Sequence, residues 1–514
     1  MIREEPSPSI IIHNGHVLSF NDEKFTALAI ENNKILAVGN DKEILYLKNE
    51  QSRIIDAKGC TIIPGLIDAH THFVSMGLGF RQINLFDTKS KQEALSIIKS
   101  HVDYLRTKEW VICRGWDESQ WPEKEYITRE ELDSIADDIP ILLYRIDGHM
   151  AVVNTKALSI VNVPSNTPGL DEKHGFLREN ALEIAKKVIV KTREQLESGL
   201  ELALEHALKY GITSIHENST INEFSIFQEF FNLSPSKLTV RSYFLFWYTY
   251  LSHIRSLGLK TRFGNDMLRF GAIKVMVDGS VGARTAAFFE PYVDEPNNKG
   301  MQLVTEDELT DIIKTAHNSD LQLAIHAIGD KAIDVVLEAF KEVLKHSPQK
   351  YLRHRIEHYE FPTLEQIKLT RELELIPSMQ PNFVANWGKP GGLYERRLGK
   401  ERARRNNPFR DIINLGLPLA FGSDCMPMDP FYGIWAAVEH PILEQRLTIK
   451  EAFKAYTLNS AYASFEETIK GSIEPGKIAD IVILSADVNS ISPKEIRNLR
   501  PRFVIFNGRV VYQK

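Results

Sequence analysis

Apolar positions along the chain follow two rhythms. Near both ends they come as short alternating runs, IIIHNGHVLSF, FTALAIENNKILAVG and RIIDAKGCTII within residues 10–63, then GKIADIVILSADV and PRFVIFNGRVVYQK from Gly476 onward. Such alternation predicts half-buried strands, and Asn14-Gly15 and Asn32-Asn33 read as hairpin-type turns between them. Neither set makes a complete domain. Together they predict a small β-sandwich built from residues 1–60 and 469–514, which brings the two ends side by side.

Between these ends the rhythm changes to eight short apolar segments: Gly65–His72, Gly211–Glu217, Leu238–Phe246, Gly271–Gly279, Gln322–Gly329, Leu352–Glu360, Leu375–Phe383 and Leu417–Asp424. Most are separated by stretches of helical period, several opened by capping boxes: Thr192 with Gln195, Thr305 with Glu308, Thr363 with Gln366 and Thr448 with Glu451. Strand and helix alternating eight times predicts an α/β fold, a (β/α)8 TIM barrel over residues 61–73 and 192–468. The third strand is the weakest of the eight. Gly211 lies far beyond an ordinary connection from His72, so residues 74–191 are expected to form an inserted lobe over the mouth of the barrel, where it would shape substrate access.

Composition narrows the classes. The 514 residues carry a formal net charge of -6, with 43% hydrophobic and 25% charged positions. Mild acidity without a basic cluster argues against a nucleic-acid partner. Apolar runs fall short of the ~20 residues of a membrane span, and the opening MIREEPSPS is not a signal peptide, so a cytoplasmic protein is expected. Cys60, Cys113 and Cys425 are scattered without metal-ligand spacing, which suggests neither disulfides nor a thiolate site. Cys425 follows Asp424 and reads as a small buried filler rather than a site residue.

Candidate chemistry begins at IIPGLIDAHTHF. Two residues apart on a strand, His70 and His72 share a face at roughly 6.5 Å along the chain, close enough to converge on one ion. Lys274, His326, His358 and Asp424 lie at or near the C-terminal ends of four further proposed strands, the end where such barrels keep their chemistry. Singly, each has a structural explanation, a hydrogen-bonded core histidine or a helix-capping Asp. Their shared position at one end of the barrel favours a metal centre. Lys274 sits among apolar neighbours where an unpaired ammonium is costly and a protonated amine is a poor ligand. Reaction with CO₂ would make it an anionic carbamate able to bridge two cations. An ordinary lysine paired with Asp278 or another acid at the mouth fits the composition equally well.

PGLIDAHTH, the strand-borne Lys, IHAIGD, HRIEH, FGSD and GSIEPGKIADIVIL resemble the amidohydrolase superfamily. GWDESQWPE, RIDGHMAVVNTKAL and DGSVGARTA are similar to its YtcJ-like branch, amidohydrolase family 3. The resemblance runs over nearly the whole chain. It implies a composite β-sandwich beside a distorted barrel with one or two divalent metals, commonly zinc. By position, His70, His72 and Asp424 would hold one ion and His326 and His358 the other, with Lys274 bridging as a carbamate and Asp424 carrying the catalytic proton. Asp278, Ser280 and Arg284 beyond strand four, with His149 and Trp116 from the lobe, are candidates to face a small-molecule substrate. Arg284 could equally hold Asp278 or the loop backbone. His216 could support the ligands, and His354 is read as structural. The expected activity is hydrolysis of a non-peptide C–N bond, an amide or N-substituted formamide, in a protein that could dimerise. A mononuclear deaminase and a non-catalytic scaffold are the alternatives.

Overall fold

The computed structural model describes residues 8–21, 23–105, 110–347 and 351–514. Four sheets organise them. The central one has eight parallel strands, β1 (Leu66–Thr71), β2 (Ile212–Ser219), β3 (Arg241–Trp247), β4 (Leu268–Met276), β5 (Gln322–Ala327), β6 (Arg355–His358), β7 (Ile376–Met379) and β8 (Ala420–Phe421), hydrogen-bonded in chain order. The expected third strand is in place between its neighbours. Each predicted strand is represented, and the ring comes nearly to closure where Asp424 N donates to His70 O at 2.8 Å. That approach requires a glycine: a Cβ at Gly422 would lie 2.4 Å from the backbone nitrogen of His70. β8 can therefore lie flat against β1.

The strands are buried on both faces, because helices cover the outside and side chains fill the inside. Ile273 and Val275 face outward into the large core shared with the helices, whereas Tyr243, Leu245, Ala272 and Ala324 form a separate apolar floor inside the ring. Alternation then places Lys274 on the inner face, one step above that floor. In register, Met276, His326, Glu357 and Ser378 form one row across β4 to β7. Polar side chains thus stack on the floor toward the C-terminal rim. All four expected capping boxes form.

The sandwich joins both ends of the chain. One sheet is made of Ile10–His13, Ala27–Glu31, Lys34–Gly39 and Arg53–Asp56; the other combines His16–Val17 and Thr61–Pro64 with Ile481–Leu484, Pro501–Phe506 and Arg509–Gln513. Asn32-Asn33 makes the expected tight turn between antiparallel partners. Asn14-Gly15 does not, since the strands on either side of it belong to different sheets, and the turn serves as a corner. Thr61–Pro64 pairs antiparallel with Ile481–Leu484, so the sandwich runs on to Pro64 before the chain enters the barrel. The reading of MIREEPSPS falls mostly on residues 1–7, outside the described residues.

Between β1 and β2 the chain forms a six-stranded sheet of its own, from Ile83–Asn84 to Phe176–Arg178, with its own apolar core. This lobe docks on the loop after β4 through Arg145, which holds Glu118 (2.9 Å), Asp147 (2.6 Å) and Asp117 (3.2 Å), while Asp147 accepts from Ser280 Oγ at 2.7 Å. Gly282 explains part of the DGSVGARTA pattern: a Cβ there would meet the Arg145 guanidinium at 2.1 Å. No described helix is long and apolar enough to cross a membrane.

Candidate active site

Three strand ends bring His70, His358 and Asp424 together, with one ligand atom of each lying within 4.8 Å of the others. Backbone twists aim two of them. His358 (φ 71°) and Asp424 (φ 50°) adopt the left-handed conformation, which breaks the two-residue alternation at the ends of β6 and β8. Glu357 and His358, adjacent in sequence, can therefore both face the centre. Asp68 sets the β8 end from below, accepting Ser423 N at 2.8 Å and Ser423 Oγ at 2.5 Å.

Each imidazole is held by its outer nitrogen. His70 Nδ1 meets Glu357 Oε2 at 2.5 Å, and His358 Nδ1 meets Gln380 Oε1 at 2.7 Å. Glu357 is in turn clamped by Arg355 at 2.7 and 3.0 Å, and Arg355 donates to His216 Nδ1 at 2.8 Å. His216 thus connects to His70 only through Arg355 and Glu357 among the described residues. Burial pushes both His70 and His358 well below the ordinary imidazole range, leaving neutral rings. Two neutral imidazoles with Nε2 lone pairs and one carboxylate oxygen are a donor set that fits a divalent cation.

The other expected ligands stand at the edge of this group. His72 Nε2 lies 3.3 Å from Asp424 Oδ1, but its side chain is 40% exposed and is outside the three-residue cluster. His326 meets the His358 ring edge to face at 4.3 Å between centroids, yet its Nε2 lies 3.1 Å from Gly279 O and 3.4 Å from Asp278. The structure therefore groups His358 with His70 and Asp424, across the expected division of His70, His72 and Asp424 from His326 and His358. Lys274 Nζ lies 3.4 Å from His70 Nε2, with no carboxylate within 4.0 Å among the described residues. Burial lowers it to about 8, and burial raises Asp424 to about 7 against the pull of Lys274. The pairing with Asp278 is not made, because Asp278 spends its oxygens on the N–H groups of Ile328, Gly329 and Ala287 at 2.9–3.0 Å.

Of the substrate-facing candidates, the lobe delivers His149 and Asp147 to a narrow cleft that also reaches Ser280, His358, Asp424 and Glu360. Burial alone would lower His149, but Glu179 at 3.0 Å raises it to about 9. Trp116 does not reach this cleft; it is fully buried in the lobe, 6.0 Å from the Trp121 ring, with Nε1 donating to Leu143 O. Arg284 is also turned elsewhere, its donors spent on Asp294 (2.9 Å), Glu295 (3.1 Å) and Tyr126 (2.7 Å). Asp278 is a backbone clamp behind His326 rather than a substrate contact. His354 is structural as expected, 3.0 Å from His317 and accepting Leu323 N. Cys425 is buried and accepts His72 N. Glu357, Gln380 and Glu360 were not singled out by sequence, although inward polar positions on a strand buried on both faces were the available signal.

A parallel eight-stranded barrel with imidazoles and a carboxylate at the C-terminal ends of its strands defines a metal-dependent barrel hydrolase. The chain belongs to the amidohydrolase family, in its YtcJ-like branch, and the family's sequence profile matches residues 53–512. It is 28% identical to the putative amidohydrolase YtcJ of Bacillus subtilis over 98% of this chain and 99% of that protein. Identity to an N-substituted formamide deformylase of Arthrobacter pascens is 24%, over 95% of each. Among solved structures, an uncharacterized metal-dependent hydrolase from Pyrococcus horikoshii OT3 superposes with a TM-score of 0.76 at 30% identity, covering 94% of this chain and 99% of that one.

Proposed function

We propose that this protein hydrolyses a non-peptide C–N bond, an amide or an N-substituted formamide of a small molecule, with divalent metal, zinc first, held at the rim of the barrel. The observation that carries the reading is the cluster of His70, His358 and Asp424 opening onto the lobe-covered cleft. A divalent cation bound there supplies Lewis-acid polarisation of a carbonyl and a water acidified toward neutrality. His70 and His358 would hold it through Nε2, in the orientation that Glu357 and Gln380 impose. Asp424 takes the proton of the attacking water on its carboxylate and passes it to the departing nitrogen, so that the amine leaves neutral. Lys274, buried and with no carboxylate within 4.0 Å among the described residues, would add its amine nitrogen to CO₂, releasing one proton and becoming an anionic oxygen donor; His72 and His326 would be the further donors for a second ion. Similarity to the formamide deformylase supports the formamide class.

A second reading, a mononuclear deaminase, is favoured by the gathering of three donors around one point without His72 or His326. Metal analysis of the zinc-loaded protein, with a screen of formamides, N-acyl amines, cyclic amides and amino-heterocycles, separates the two. About two ions per chain with release of formate or another carboxylate supports the first reading; about one ion with release of ammonia supports the second. Failure to retain metal or to turn over any of these overturns both.

A further inference from the structure

The cleft is smaller than any amide it would have to admit. Its free volume, about 20 Å³, holds one water molecule and little else. Trp387 and Tyr394 are among its walls. Trp387 is fixed by its Nε1 donating to Asp117 at 3.0 Å, but Tyr394 rides on a short segment bounded by glycines.

That segment is Leu393–Leu398, helical, with Gly391 and Gly392 before it and Gly399 after it. Gly391 has φ 72° and nothing near the place of a Cβ. Gly399 has φ 76° and ψ 165°, a conformation reserved in practice for glycine, and it breaks the helix. Beside Gly399 lies an open surface hollow lined by Glu290, Val293, Leu398 and Lys400. Both ends of the segment therefore have backbone freedom and space to rotate.

Inward, Leu393, Tyr394 and Leu398 are buried, and the Tyr394 hydroxyl donates to Glu360. Arg397 fastens the segment on two sides. Its Nη2 donates to Glu118 of the lobe at 2.9 Å and its Nη1 to Asp294 of the loop after β4, while its backbone O accepts Val293 N at 2.8 Å. Each acid keeps another guanidinium without it, Glu118 through Arg145 and Asp294 through Arg284. Release of Arg397 thus strands no buried charge on either partner.

We infer that Leu393–Leu398 is a gate, swinging on Gly391-Gly392 and Gly399 to carry Tyr394 out of the cleft and admit a small organic molecule when Arg397 leaves Glu118 and Asp294. Opening exposes three buried side chains, so the closed form dominates and the open one is a minor state. Entry is gated in this way whichever bond the site cleaves.

Two measurements on the full-length protein test it without metal or turnover. Val281 lines the cleft and is buried, so Val281→Cys puts a thiol there, and peptide mapping of N-ethylmaleimide adducts reads entry at that position apart from the native cysteines. Hydrogen exchange reads the opening of Leu393–Leu398 directly. The segment is expected to exchange about a hundredfold faster than β5. Arg397→Met is expected to speed both its exchange and the labelling at position 281 by about tenfold or more, with β5 unchanged. Gly399→Val, which disfavours the closed backbone, is expected to do the same and decides the matter should Arg397→Met fail to fold. Exchange of the segment as slow as that of β5, labelling that neither variant accelerates, or acceleration shared by β5 would overturn the inference. Turnover in a protein without such gating leaves the hydrolase reading alone, and gating in a protein that hydrolyses nothing does the reverse.

Discussion

Glu357 and His358 show how much chemistry a single dihedral can arrange. On a regular strand one would face the ring interior and the other the helices. The positive φ at His358 puts both at the centre, so one carries the donor nitrogen and the other orients a neighbour's. Replacing Glu357 by Gln should weaken metal binding about 10–100-fold, read by competition with a chromogenic chelator; unchanged affinity would show that His70 needs no such support. Lys274→Ala should lose metal and turnover together and regain part of both with short carboxylic acids, whereas full activity would remove the carbamate. The strand-end His, Lys and Asp were legible because polar types are rare on strands buried on both faces. Which of them share an ion was not, since that depends on the φ of His358 and Asp424 and on Gln380 and Glu357 across the ring. Trp116 and Arg284 looked substrate-facing for a related reason: a sequence shows that an aromatic or a guanidinium is present, not that Tyr126, Asp294 and Glu295 already occupy it.

Elements are held by local devices that the chain announces plainly. Each capping box expected from a Thr with Glu or Gln three residues later is formed, because both halves lie within one turn and need no distant partner. Glu451 does more than cap Ile449–Ala455, as Arg410 grips both of its oxygens at 2.7 Å. Burial raises this carboxyl, but Arg410 and Thr448 outweigh it and hold Glu451 at about 2. A folded-state value below the unfolded one means stabilisation present above the ordinary carboxylate range and lost as pH falls toward 2. Glu451→Gln should therefore cost about 1–2 kcal/mol near neutrality, a drop of about 1–2 °C in the thermal midpoint, and the gap to wild type should close in acid. Constancy of that gap down to pH 3 would contradict this account. At β8, Gly422→Ala would force its Cβ into the backbone of β1. It should cost metal affinity as well as stability, because His70 rides on the strand that must move; a variant with native affinity would show that the rim tolerates the shift.

At the scale of the molecule, a ring of strands, a covering lobe and a two-ended sandwich are each recoverable from hydrophobic rhythm, since each follows from period and spacing. The docking of lobe on barrel is not, because it rests on Asp147 and Glu118 of the lobe meeting Ser280 and Arg397 across more than a hundred residues of sequence and on Gly282 leaving room for Arg145. If the rim holds a cation, removing it should lower the melting temperature by an amount that grows with the logarithm of the free-ion concentration, about 4 kcal/mol between no ion and an ion at a thousand times its dissociation constant. Scanning calorimetry with and without chelator measures it, and coincident melts would argue against any bound ion. Synthesis from the first residue to the last gives the pairing of Thr61–Pro64 with Ile481–Leu484 a temporal meaning. The nascent chain must carry Thr61–Pro64 with an unsatisfied edge until Ile481–Leu484 emerges to relieve it. Ribosome-bound intermediates should on that account recruit holdases at residues 53–64, and removal of residues 481–514 should leave that edge open to pairing between molecules.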